Sequence, residues 1–166
     1  MSAYDYLIYL LSRKEYSLNQ LRQKLKSKNY PDNEAEQALQ IVVEKKYQSD
    51  ARYAESFVHD QALAGFGPLT IANKLRINGI RDHLIEQTLD EAQFDWFKQA
   101  FNYFIRKDYD QLELQDAKVK AKMQRHMFSK GYNFEHISFC LTTLQELKEM
   151  EVDPQTFILN DFSYEN

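Results

Sequence analysis

Cysteine occurs once in this chain of 166 residues, at Cys140, so no disulfide within the chain can staple the fold. A lone thiol between Phe139 and Leu141 fits a reducing compartment and ordinary burial. Glycine and proline are nearly as scarce, at four and three residues, which excludes a fold of many tight turns and favours long regular elements. No run approaches the roughly 20 apolar residues needed to cross a bilayer. Residues 6–11 are apolar but short, follow Asp5 and precede no cleavage pattern, so no signal peptide is expected. These absences together predict a soluble, cytoplasmic protein without membrane contact.

The residues that usually carry catalysis are missing as well. Gly65-Phe66-Gly67 lacks the third glycine and the preceding strand of a dinucleotide fingerprint, so helix capping explains it better. His136 and Cys140 lie four apart on one helix, but two ligands do not make a metal site. His59, His83 and His126 have no evident partners and read as surface or partly buried histidines. Neither an enzyme nor a cofactor-binding protein is expected.

What the chain has is a repeated helix. Residues 16–30 align with residues 66–80 fifty positions later, and the second half of the unit returns at 123–132. In the first copy Ser17 reads as N-cap and Gln20 completes a capping box, with Tyr16 and Leu21 as the apolar staple around it. In the second, Gly67 takes the cap, Pro68 the first helical position, and Phe66 and Ile71 the staple. Asn29, Gly79 and Gly131 coincide at the far end, and each tolerates the left-handed conformation that terminates a helix. Tyr30, Ile80 and Tyr132 follow them, and Leu25, Leu75 and Met127 precede them by four, the apolar pairing of such an end. The third copy shows no recognisable N-cap.

Leu, Lys, Gln, Glu and Ala dominate the rest, all good helix formers. Apolar residues at helical spacing give a first helix with Leu7, Leu10 and Leu11, a third from Asp32 with Ala35, Leu39, Val42 and Val43, and a fourth opened by Ser49 and Asp50. A helix from Asp82 carries Ile85, Leu89 and Ala92, and another from Asp95 carries Trp96, Phe97, Ala100, Phe101 and Phe104. Residues 107–116 are polar and acidic and read as a loop, followed by a basic helix to Lys130 and a last one from Asn133 to about Met150. The expected fold is all-α: three tandem three-helix repeats at 1–48, 49–93 and 94–150 in an elongated, curved array, with a tail at 151–166. Pro154 breaks the helical pattern. The tail holds Phe157, Ile158, Leu159, Phe162 and Tyr164, which suit either folding back on the array or docking on a partner.

The net charge of −4 argues against a protein held to DNA by bulk charge, but the charges are segregated. Arg13, Lys14, Arg22, Lys24, Lys26 and Lys28 face only Asp5 and Glu15 within the first thirty residues. Residues 117–134 carry Lys118, Lys120, Lys122, Arg125 and Lys130 with no acid, whereas residues 135–166 are acidic. Lys118, Lys122 and Arg125 fall at steps of four and three, so they line one ridge that suits an anionic partner. The eleven Tyr, eleven Phe and Trp96 sit mostly at core spacing, so base stacking is the lesser reading for them.

The order of several motifs resembles a known family. Tyr9-Leu10-Leu11-Ser12-Arg13 leads to Glu15-Tyr16-Ser17 and Leu21-Arg22-Gln23-Lys24-Leu25. Arg52-Tyr53-Ala54, Ser56-Phe57 and Gly65-Phe66-Gly67-Pro68 follow, then Asp95-Trp96, Lys118-Val119-Lys120, Gln124-Arg125 and Lys130-Gly131-Tyr132. Over about residues 3–141 the chain resembles the bacterial RecX regulatory proteins. It departs between Phe57 and Gly65, where the family usually carries arginines and this chain has His59, Gln61, Leu63 and Ala64. The resemblance implies a non-catalytic, monomeric helical-repeat protein that binds the RecA recombinase filament. It also implies restraint of RecA's ATP hydrolysis, strand exchange and promotion of repressor self-cleavage, within DNA repair and the SOS response. Weak contact with single- or double-stranded DNA is compatible with it, and a direct DNA-binding, helix-turn-helix-like protein is the rival reading. The candidate contacts are Arg13, Arg22, Lys24, Lys26, Lys28, Lys74, Arg76, Lys118, Lys120, Lys122, Arg125 and Lys130.

Overall fold

The computed structural model describes residues 1–157 and contains helices and connecting turns, with no strand among the described residues. The α-helices are α1 (Ala3–Leu11), α2 (Leu18–Ser27), α3 (Asp32–Glu44), α4 (Asp50–Leu63), α5 (Pro68–Ile77), α6 (Asp82–Glu91), α7 (Trp96–Arg106), α8 (Ala117–Lys130) and α9 (Phe134–Glu149). The all-α expectation holds. The acidic stretch after α7 is not wholly loop: it holds a short 3-10 turn at Tyr109–Gln111.

Two compact units divide the chain, one formed by Met1–Gln61 with Ala72–Gln93, the other by Ala62–Ile71 with the chain from Phe94 onward. In the first unit, Ala3, Leu7 and Leu10 of α1 meet Ala35, Ala38, Leu39 and Val42 of α3, with Leu21 and Leu25 of α2 filling the remaining side. These positions recur at three and four residues, as a helix with one buried face requires. In α6 the buried partner of Ile85 is Thr88, while Leu89 is only half-buried. The Thr88 hydroxyl donates to the Leu84 carbonyl at 2.6 Å, which satisfies it and makes its burial tolerable.

The second unit has an aromatic core. Phe101, Tyr103, Phe104 and Ile105 of α7 pack with Met123 and Met127 of α8, Tyr132, and Ile137, Cys140, Leu144 and Leu147 of α9. Tyr132 is fully buried and its hydroxyl donates to the Gly65 carbonyl at 2.8 Å. Residues 154–157 form a helical turn that opens at Pro154 instead of ending regular structure there. Its Phe157 ring meets Phe101 edge-on at 6.2 Å, and Gln155 donates to the Ile105 carbonyl, so the start of the tail folds back on α7. Ile158, Leu159, Phe162 and Tyr164 lie outside the described residues.

The repeated helix ends take the expected form. Asn29, Gly79 and Gly131 have φ of 59°, 84° and 102°. Tyr30, Ile80 and Tyr132 donate back to the Leu25, Leu75 and Met127 carbonyls at 3.0 to 3.2 Å, closing the same six-residue motif three times. Lys46 and Glu151 end α3 and α9 in the same way, with Tyr47 and Val152 donating to Val42 and Leu147. Sequence gives no warning of those two, because neither residue type marks a left-handed position. The third copy does have an N-cap: Asp116 accepts from the Lys118 and Val119 amides, three residues further upstream than the register of the other copies allows.

The helix ends also touch one another. In the first unit the start of α2 meets the end of α5, where the Ser17 hydroxyl accepts from the Gln20 amide and donates to the Asn78 carbonyl at 2.7 Å. In the second unit the start of α5 meets the end of α8. The Gly67 and Leu69 amides donate to the Lys130 and Gly131 carbonyls at 2.7 and 3.1 Å. Amides left over at one helix start thus satisfy carbonyls left over at another helix end. The approach is close enough that a Cβ on Gly79 would lie 2.6 Å from the Asn19 Cβ, and one on Gly131 would lie 2.5 Å from the Thr70 nitrogen.

Candidate functional site

Helix α8 is amphipathic in an uncommon way. Met123 and Met127 are buried against α7 and α9, while Lys118, Lys120, Lys122 and Arg125 are exposed. No acid interrupts the helix between Ala117 and Lys130. Lys118 and Lys120 stand in its first turn, at the positive end of the helix dipole, where an acid would be favoured. Lys118 and Lys122 are like charges four apart, which weakens a helix by a few tenths of a kcal/mol. Local stability therefore does not account for this distribution. Among the described residues, the ion pairs formed involve none of these four cations.

Tertiary structure enlarges the cationic face. Lys107, at the end of α7, lies over the Tyr103 ring at 5.6 Å, and the Tyr103 hydroxyl meets His126 Nε2 of α8 at 2.6 Å. Burial, reinforced by Lys130 and Lys107, pushes His126 below the ordinary histidine range. Burial, with Tyr109 adding, pushes Tyr103 up to about 12. The tyrosine therefore keeps its proton near neutrality and can donate it to a neutral imidazole. His126 does have a partner, which sequence could not show because Tyr103 lies twenty-three residues away. Lys107 was missed for the same reason: it reads as the start of an acidic loop until α7 and α8 pack together.

Beside the exposed cations is a cavity of about 580 Å³. Leu112, Val119 and Met123 line it together with the Tyr109 and His126 rings, and Lys122 and Arg125 contribute to its walls. Of the α8 candidates, Lys130 differs, since its ammonium lies over the Phe66 ring at 4.8 Å.

The candidates in the first unit are mostly engaged. Arg22 pairs with Glu36 through two contacts of 2.8 and 3.3 Å, and this hydrogen bond holds the Glu36 carboxyl below its usual range. Arg76 bonds Asp82 at 2.8 Å and Asn73 at 3.0 Å, and Lys74 donates to Gln61. Arg13 lies over Tyr9 at 4.9 Å, and Lys24 over Tyr16 at 5.4 Å. Lys26 and Lys28 are exposed and take part in none of the ion pairs among the described residues.

His136 and Cys140 have separate structural uses. The His136 ring nitrogen Nδ1 accepts from the Asn133 amide at 3.1 Å, completing the capping box that starts α9. Burial lowers its pKa and pushes the Cys140 thiol up to about 12. Among the described residues no group of three or more His, Cys, Asp or Glu could hold a metal ion, and no helix is long and apolar enough to cross a membrane.

Comparison with known proteins identifies the family. Residues 3–40 match the first three-helix domain of RecX and residues 49–89 match the second. The regulatory protein RecX of Actinobacillus pleuropneumoniae serotype 5b is 39% identical over 137 residues, covering 82% of this chain and 89% of the relative. That of Haemophilus ducreyi is 39% identical over 153 residues, covering 90% and 97%. The crystal structure of RecX from Lactobacillus salivarius superposes with a TM-score of 0.71 over 86% of this chain and 94% of that one, at 19% identity, a likeness of fold. The chain belongs to the RecX family of regulatory proteins.

Proposed function

We propose that this protein is a non-enzymatic regulator that binds the RecA nucleoprotein filament and restrains its ATP hydrolysis, strand exchange and coprotease activity. In this reading it works as a cytoplasmic monomer, and residues 1–48, 49–93 and 94–150 are its three successive repeats. Membership of the RecX family supports it. The observation that carries it is the cationic face of α8, where Lys118, Lys120, Lys122 and Arg125 stand exposed, in none of the ion pairs among the described residues, and against the local preferences of a helix. Lys26 and Lys28 are secondary contacts, and the engaged cations Arg22 and Arg76 contribute least, since each must first give up a carboxylate.

The test is ATP hydrolysis by RecA on single-stranded DNA as this protein is titrated in, with co-sedimentation of the filament. The expected result is a saturable fall in hydrolysis accompanied by co-sedimentation. Unchanged hydrolysis at saturation, with the protein left in the supernatant, would overturn the reading. The same cations also suit direct contact with nucleic acid, and binding to naked DNA that needs no RecA and collapses with salt would favour that alternative.

A further inference from the structure

We infer that the cavity between the 3-10 turn and α8 receives an apolar side chain, aromatic or aliphatic, from an acidic segment of a partner protein whose carboxylates lie along the adjoining cations. This assignment deepens the reading of the chain as a protein-binding regulator and rests on it. The cavity holds about 580 Å³, ample for one large side chain. Its apolar lining includes Leu112, Val119 and Met123. A thioether adapts its shape to varied guests, which suits a docking pocket. Lys122 and Arg125 belong to the same lining and are exposed, and Lys118 stands one turn before Lys122 on the same ridge. Cations beside an apolar lining are complementary to a segment carrying carboxylates next to a hydrophobic anchor.

The chemistry favours a peptide over a nucleobase. A base has polar edges that need hydrogen-bond partners, and the Leu112, Val119 and Met123 side chains offer none of consequence. Stacking needs a flat, open ring face. Here the Tyr109 and His126 rings meet edge-to-face at 76°, which presents no pair of parallel faces for a base to enter. Leu112 is exposed at 39%, an apolar surface next to charge that burial under a partner would remove from water.

The experiment uses the full-length protein and needs no RecA, so its outcome is independent of the ATPase result. A fluorescein-labelled Glu/Ser peptide with one central Phe is titrated by anisotropy against the same peptide with Ala in that place, and against a single-stranded oligonucleotide. The expected result is that the Phe peptide binds about tenfold more tightly than the Ala peptide, the value of burying one aromatic side chain. Leu112→Ser is expected to remove most of that difference while leaving the Ala peptide unchanged. Lys122→Glu with Arg125→Glu is expected to abolish binding of both. Both substitutions are at exposed positions, and circular dichroism confirms that each variant is folded. Equal binding of the Phe and Ala peptides would overturn the inference, as would an oligonucleotide that binds more tightly than the Phe peptide and loses affinity in Leu112→Ser.

Discussion

At the scale of single residues, three helix ends share one backbone conformation but differ in what surrounds them. Asn29 is exposed, so its side chain has room. At Gly131 any side chain would meet the Thr70 nitrogen at 2.5 Å. Asn29→Ala is therefore expected to cost about 1 kcal/mol, the penalty of a Cβ in the left-handed region. Gly131→Ala should cost about 3 kcal/mol, because displacement of packed backbone adds to that penalty. Urea unfolding of both variants measures the pair, and equal losses would show that the close approach is unimportant. Two histidines set the pH response. His126 and His136 are both lowered from 6.5 in the folded state, in each case first by burial, with the carboxylates of Glu135 and Asp95 partly opposing it at His136. The unfolded chain then binds more protons as pH falls, so stability is full above about 6.5 and declines below it. Protonation of His136 also removes the ring acceptor used by the Asn133 amide. In His136→Gln, which keeps a capping side chain that does not titrate, the loss of thermal stability between pH 7 and pH 5 should be smaller than in the wild type. An identical pH profile would acquit His136.

At the scale of elements, the interface proposed on α8 would set function against stability. The helix's buried face is ordinary, with Met123 and Met127 in the core. Its exposed face collects like charges, and its first turn carries lysines where acids would serve the dipole. Charge reversal of Lys118, Lys122 and Arg125 together is thus expected to leave the fold intact or slightly firmer, while weakening filament co-sedimentation by at least about tenfold. Unchanged co-sedimentation in this variant would remove α8 from the interface. The spacing of the α8 cations was legible in sequence because they lie on one helix, where position along the chain dictates the face. The contribution of Lys107 to the cationic face and that of Leu112 to the cavity lining were not, because they come from the end of α7 and the turn after it. The N-cap of α8 is hidden in the sequence for a related reason: Asp116 lies among other acids, and α8 is longer than α2 and α5.

At the scale of the whole molecule, a net charge of −4 with cations gathered on a few faces predicts selectivity for a composite surface over bare nucleic acid. Binding to naked single-stranded DNA should weaken by about 0.7 logarithmic units per tenfold rise in salt for each phosphate contacted. Binding to the RecA filament, which adds protein surface to the contact, should persist at about 0.15 M salt, where naked DNA is released. Anisotropy on the oligonucleotide and sedimentation with the filament measure both. Tighter binding to naked DNA than to filament at that salt would reverse the proposed order of partners.

The sequence by itself determined the helices, the caps of the first two repeated copies and the apolar faces, since each depends on residues within a turn or two of one another. It marked Gly79 and Gly131 as helix ends, but a left-handed backbone was all it could assign to them. Only the tertiary structure decided that these glycines also clear space for the start of another helix, and that Ser17 serves two helices with one hydroxyl. It alone separated cations held by Glu36 or Asp82 from Lys118, Lys120, Lys122 and Arg125, which join none of the ion pairs among the described residues. Local hydrogen bonding fixes helices, whereas charge pairing and close approach join residues far apart in the chain, and only packing brings those together.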